Sequence, residues 1–381
     1  MIGLRIIDRY LLREYWWTAF VTAVAIFGLY VLFDGFTNLE EFLRAADKYG
    51  GLLPLLAWFY GCQAVMVLDR SAALISLIAA MFTITWIQRH QEMTALLAAG
   101  IPRRRVVLPV VIASAVIALL AALNRETLLP TLRDHLARRP QDLLEERAQP
   151  LIPRYDKQTN ILFRGAACYR DGKRIREPNL LLPPELANFG RQLAADEGYY
   201  LSPSTERPGG YLLVRVWKPA KIAELPSGTV GGKVVILTPR DNPGWLKEDQ
   251  CFVVTSVDFD QLCGGAAFRQ FSSTASLIQA LRNPSVDLGA DILVTIHTRL
   301  IQPLADLTLL FLGLPMVIQR ENRNVFAAIG ICGLLAGGFF VVSLVFQQLG
   351  MAYYIPPALA AWGPLLLFVP VAVYLSDCLW E

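Results

Sequence analysis

QRHQEMTALLAAGIPRRR, residues 88–105, is the stretch whose reading decides the fold. It is a polar and basic helix-plus-turn held between two apolar segments, residues 71–87 and 106–123, each long enough to cross a bilayer. On a helix starting at Gln88, Met93, Leu96 and Leu97 share one face, while Arg89 and Glu92 lie three apart and exposed. Gly100 ends that helix, Pro102 cannot continue it, and Arg103, Arg104 and Arg105 follow as a basic turn. Two readings fit this connector. Its carboxylate docks against a groove of another protein, or it is a plain solvated loop.

The totals point the same way. Of 381 residues, 54% are hydrophobic and 18% charged, more apolar side chain than a soluble protein needs, so the chain is expected to be a polytopic membrane protein. The net charge is only +3 and the basic residues form short clusters at apolar ends, which argues against nucleic acid as a partner. The three histidines are scattered and no CxxC occurs, so no metal site is expected. The nearest approach to a phosphate-binding loop, Gly231-Gly232-Lys233, lacks the first glycine at Ser227 and the hydroxyl after the lysine. With no HExxH and no GxSxG either, the chain carries no enzymatic constellation and calls for no cofactor. Cys251 and Cys263 either close a short disulfide or remain buried thiols.

Moving outward from the connector, residues 1–14 place Arg5, Arg9 and Arg13 four apart with Asp8 beside them. They read as an amphipathic helix on a membrane surface or as the charged start of the first span. That span, residues 15–33, is about 19 residues long, opens on Tyr15, Trp16 and Trp17, and is followed by no cleavage site. A net acidic loop follows, with Arg44 and Lys48 as its cations. Residues 52–87 are apolar but interrupted by Asp69-Arg70, which permits a hairpin of two short spans or one long helix. One helix keeps Arg89 and Arg103–Arg105 on the side of Arg5, Arg9 and Arg13; two would translocate them. One long helix is therefore expected. Spans at 106–123, 300–318, 325–346 and 355–376 bring the total to six, with both termini and the loop carrying Arg320, Glu321 and Arg323 in the cytosol.

The polar middle is then extracytoplasmic. It opens on a charged helical stretch, residues 125–147, and continues as β-rich runs at 160–170, 210–222, 233–238 and 251–262, with a helix expected only at 273–282. The expected organisation is residues 1–125 as an N-terminal helix and three transmembrane helices, 126–290 as an all-β, jelly-roll-like domain, and 291–381 as three more transmembrane helices. Asp69, Arg70 and Asp306 are ionisable groups in or near apolar spans. Asp306 sits about two turns, roughly 9 Å, into its span, a depth Arg70 could reach. Such groups form an ion pair or serve as a relay in an ion-coupled carrier.

The chain resembles the LptF/LptG permeases, the membrane subunits of the lipopolysaccharide-export ABC transporter. The resemblance rests on IDRYLLRE at residues 7–14, E-MTALLAA-G at 92–100 with its basic turn, H-T-R-LIQ-P at 297–303 and IPPALAAWGP at 355–364, in that order. It implies a non-catalytic half-transporter of the inner membrane. Its partners would be a second LptF/LptG-type subunit, a cytoplasmic ABC ATPase dimer and a periplasmic jelly-roll bridge protein, with lipopolysaccharide or a related lipid as cargo. By position, Glu92 would be the carboxylate seated in the ATPase groove, with Arg89, Gly100 and Arg103 around it. LptG-type members often carry lysines at the outer end of the first span; here Asp34, Glu40 and Glu41 stand there. Arg44, Lys48, Arg125 and Arg133 are the remaining candidates for lipid contact. The residues leave LptF-type versus LptG-type open, and also a rival class, a stand-alone carrier using Asp69, Arg70 and Asp306, or a membrane-anchored scaffold presenting the β domain.

Overall fold

The computed structural model describes residues 6–138, 140–143, 148–204, 207–242, 244–263, 265–283, 289–319 and 325–377. Arg5, Arg320, Glu321 and Arg323 of the expected cytosolic clusters lie outside the described residues. The chain forms two compact units, Met1–Leu136 with Gly289–Glu381, and Ala137–Leu288.

The first unit is helical: α1 (Ile6–Thr37), α2 (Leu39–Ala46), α3 (Leu52–Arg89), α4 (Glu92–Ala98), α5 (Arg103–Thr131) and α6 (Arg133–Leu136) precede the second unit. After α7 (Phe259–Cys263), α8 (Gly265–Phe271) and α9 (Thr274–Leu281) of the second unit, it resumes with α10 (Ala290–Gln319), α11 (Val325–Met351) and α12 (Pro357–Ser376). Six of these helices, α1, α3, α5, α10, α11 and α12, are long and apolar enough to cross a membrane.

Helix α3 runs unbroken through Asp69-Arg70, as charge placement required. Its 38 residues span about 57 Å, nearly twice a hydrocarbon core of about 30 Å, so it projects well past one end of the bundle. There α2 folds against it, burying Phe42 with ring centroids 5.2 Å from Phe59 and 5.8 Å from Tyr60. Helix α1 is continuous from Ile6, so the described part of the basic N-terminal segment is the start of the span and not a separate surface helix.

The bundle core joins Leu11 and Tyr15 of α1, Ile84 and Ile87 of α3, Val106 and Val110 of α5, and Leu309 and Leu314 of α10. A buried phenol needs partners. The Tyr15 hydroxyl finds two, Ser76 Oγ at 3.2 Å on α3 and Ser114 Oγ at 3.0 Å on α5, so one side chain ties three helices together. Small residues let the last helices close up: a Cβ at Gly350 would strike Ala360, and one at Gly363 the Phe346 ring.

The second unit is built on one antiparallel sheet. Its strands are β1 (Arg154–Asp156), β2 (Ile161–Arg164), β3 (Ala167–Tyr169), β4 (Arg174–Arg176), β5 (Asn179–Leu181), β6 (Gln192–Leu201), β7 (Gly210–Lys218), β8 (Gly228–Val230), β9 (Lys233–Leu237) and β10 (Gln250–Val254). They run in the order β1-β2-β5-β6-β7-β10-β9-β8, with β3 and β4 branching from β6. The turns are specified locally. Asp156, fully buried, accepts from the amides of Gln158 and Thr159 and from the Thr255 hydroxyl, closing the β1–β2 turn and tying it to the chain beyond β10.

The expected helix at 273–282 is α9, capped by Ser273 Oγ accepting from the Ser276 amide at 3.1 Å. Strand β6, the longest of the sheet, was not expected. Its sequence QLAADEGYYL carries two acids and a glycine, and Leu193, Ala194 and Ala195 are buried in a row where the register against β7 shifts. The short disulfide considered between Cys251 and Cys263 does not form. Cys263 is bonded to Cys168, with Cα atoms 6.0 Å apart, and Cys251 is a free thiol buried in β10.

Candidate functional site

The connector is built by two chain reversals. Helix α3 ends at Arg89, and Gln91 adopts a left-handed φ of 62°, so α4 starts afresh at Glu92. Arg89 and Glu92 are therefore not three apart on one helix, as the sequence suggested; they sit on either side of a break. At the other end the Gly100 amide donates to the Leu97 carbonyl at 2.9 Å and the Ile101 amide to the Leu96 carbonyl at 3.0 Å. That pair of bonds is a Schellman stop, and it needs the left-handed φ of 76° that glycine adopts without strain. Pro102 then caps α5.

The expected apolar face is present, whereas the expected exposed charged face is not. Met93 is buried in the bundle core with Leu96 and Leu97 packed beside it. Glu92 stands in the first turn of α4, where a carboxylate suits the positive helix end. It is half-buried, and its Oε1 accepts from the Tyr10 hydroxyl of α1 at 3.2 Å. Arg89 and Arg104 are exposed, and Arg103 is half-buried. Arg105 reaches back to Asp8 of α1, with Nη2 at 3.0 Å from Oδ2. The connector thus offers a ridge of charge resting on α1. Tyr10 and Asp8 as its supports were not read from the sequence, because nothing in spacing places residues 82 or 97 positions apart in contact.

The intramembrane charges pair differently from expectation. Asp69 is bound by Arg125 of α5, whose Nε and Nη2 both lie 3.2 Å from Oδ2. Asp306 accepts from Gln302 Nε2 at 2.9 Å, one turn away on α10. Arg70 is exposed and makes no ion pair among the described residues. The Arg70–Asp306 pair is therefore replaced by Asp69–Arg125: neighbours 69 and 70 point about 100° apart on a helix, and only Asp69 turns inward. Arg299, which the sequence reading passed over, lies within electrostatic reach of Arg125, Glu126 and Asp69. A basic residue within the apolar pattern of α10 was the signal for it, as the acid was for Asp306.

The candidate lipid contacts divide in two. Arg44 and Lys48 are exposed, Arg44 bridged to Glu40 one turn earlier and Lys48 over the Tyr49 ring at 5.9 Å. Arg125 is committed to Asp69, and Arg133, largely covered, lies 4.0 Å from Asp134. Asp34, near the C-terminal end of α1, is held by Tyr60 Oη at 3.0 Å and Asn38 Nδ2 at 3.1 Å.

No individual curated protein matches the chain. The family model for the lipopolysaccharide export system permease LptF/LptG matches residues 9–167 and 257–377, leaving unmatched only the middle of the β unit and the chain ends. A match over most of the chain, embracing all six spans and the connector, places it: this protein is a member of the LptF/LptG family of lipopolysaccharide export permeases.

Proposed function

We propose that this multi-pass inner-membrane permease is one of two paired subunits. It extracts lipopolysaccharide, or a related envelope lipid, and passes it to a periplasmic jelly-roll bridge. A separate cytoplasmic ABC ATPase dimer supplies the energy and grips α4. The single observation that carries this reading is the connector itself. A seven-residue helix with a carboxylate in its first turn is locked between two spanning helices by a left-handed residue and a Schellman stop. Such a rigid charged knob suits a docking groove better than a solvated loop does, since a loop has no need of a buried methionine or a fixed stop. Around Glu92, Arg89 and Arg103 add positive charge to the ridge.

The same reading puts α4 and both termini in the cytosol and the β unit in the periplasm. Two facts support that orientation: the basic residues gather at the α4 end of the spans, and the β unit holds a disulfide, which belongs to an oxidising compartment. Arg44 and Lys48, exposed at the α2 end, are the cations available to lipid phosphate.

The test is export in cells that depend on this chain. Glu92→Ala is expected to leave the protein in the membrane at normal amount and to abolish delivery of lipopolysaccharide to the cell surface. Normal surface lipopolysaccharide with that variant would remove the coupling role from Glu92.

A further inference from the structure

Four residues of α1 are buried: Asp8, Leu11, Tyr15 and Ala19. They form one stripe confined to the first half of the helix, at the end where the connector lies. From residue 20 to residue 37 none of the side chains is buried. The first membrane helix is thus buried only at its base; above it, Ala23 and Ile26 pack half-covered against the core, and Tyr60 touches it near Tyr30 and Asp34.

The base is also where the connector attaches, through both of its flanks. Tyr10 donates to Glu92 at the start of α4, and Asp8 pairs with Arg105 in the first turn of α5. Between those flanks, α4 is fixed by its two left-handed residues and by buried Met93. A force applied to α4 therefore has a short, polar path into the base of α1. Beyond Asp8 the helix extends 29 residues to Thr37, about 43 Å, so a tilt of about 10° there would carry the far end roughly 7 Å.

From this geometry we infer that Asp8, Tyr10 and Arg105 are positioning residues that make the connector and the first membrane helix move as one body. Load on Glu92 then becomes a tilt of α1. The inference rests on the coupling reading of α4 and adds to it the element that the load moves. Asp8 and Arg105 act through each other, on α1 and at the start of α5.

The experiment compares Asp8→Arg, Arg105→Asp, the double exchange D8R/R105D and Glu92→Ala. Each full-length chain is purified with its native partners and reconstituted in vesicles of phosphatidylethanolamine and phosphatidylglycerol carrying rough lipopolysaccharide. ATP hydrolysis and lipopolysaccharide released to acceptor protein are read together. Either single reversal places like charges together and is expected to lower lipid released per ATP by about five- to tenfold, with the ATPase still bound, and the double exchange to restore it. A merely structural ion pair would lower ATP hydrolysis and lipid release in step, leaving lipid released per ATP unchanged, and that result overturns the inference. So does unchanged transport in both single reversals while Glu92→Ala has lost it. Unchanged transport in Glu92→Ala instead defeats the coupling reading, and the inference falls with it.

Discussion

Replacing Arg125 by methionine isolates the enclosed charge of Asp69. The Asp69 side chain is 9% exposed and that of Arg125 13%, and both guanidinium contacts go to one oxygen, Oδ2, at 3.2 Å. Asp69 Oδ1 is buried and has no hydrogen-bond partner among the described residues. Arg125→Met keeps most of the apolar volume and removes the counter-charge, leaving a carboxylate enclosed between α3 and α5. Breaking such a pair from one side costs about 3–5 kcal/mol. Arg299 stays within electrostatic reach of Asp69, which places the expected loss at the lower end, about 3 kcal/mol. The double change D69N/R125M removes both charges and should recover most of it, to within about 1 kcal/mol of the parent. Unfolding is followed by helical circular dichroism in mixed micelles of mild detergent and dodecyl sulfate. A single variant within about 1 kcal/mol of the parent, or a double variant no better than the single, would refute the argument that this pair is a closed, desolvated unit.

Further outcomes follow from other parts of the chain. Cys168→Ser or Cys263→Ser opens a bond between residues 95 apart; the chain-entropy account puts the loss at about 4–5 kcal/mol for the β unit, read by its unfolding transition, while Cys251→Ser leaves the disulfide-dependent gel mobility unchanged. Tyr15→Phe strands the Ser76 and Ser114 hydroxyls and should cost about 1–2 kcal/mol in the micelle assay. In the β unit, the Tyr199 hydroxyl bond, with Arg215 and Arg174 beside it, holds the Glu197 carboxyl below the usual glutamate range. A depressed carboxyl contributes stability above its unfolded pKa and loses it as pH falls through its folded value. Glu197→Gln should therefore lower the β unit's melting temperature at pH 7, and the difference from the parent should shrink in acid.

Much of the membrane part could be read from the residues because lipid imposes long apolar helices and charge asymmetry orders them. The choice of one long α3 over a hairpin came from where Arg89 and Arg103–Arg105 had to lie, and the helix is unbroken. The stop at Gly100 and Pro102 was legible because both act through their own backbone. What sequence withheld is set by distance in space. The partner of Asp69 is 56 residues away and no local rule favours it over adjacent Arg70. Cys263 has nearer cysteines along the chain than Cys168, and only the packing of α7 beside β3 brings those two together. Strand β6 was obscured by its two acids and its glycine, and by Leu193, Ala194 and Ala195 being buried in a row, where a period-2 reading expects alternation. The supports of the connector, Asp8 and Tyr10, lie in a segment whose surface-helix and span-start readings were equivalent until the continuity of α1 separated them.

Whether α4 couples this permease to an ATPase is tested directly by one purification. Tagged chain is isolated gently from native membranes beside its Glu92→Ala form, and the co-purifying chains and ATP hydrolysis are measured. An ATP-binding subunit and a second six-span subunit are expected with the parent, and loss of the ATP-binding subunit with Glu92→Ala. A folded parent protein that brings down no ATPase, or a Glu92→Ala form that retains it with normal activity, would contradict the account.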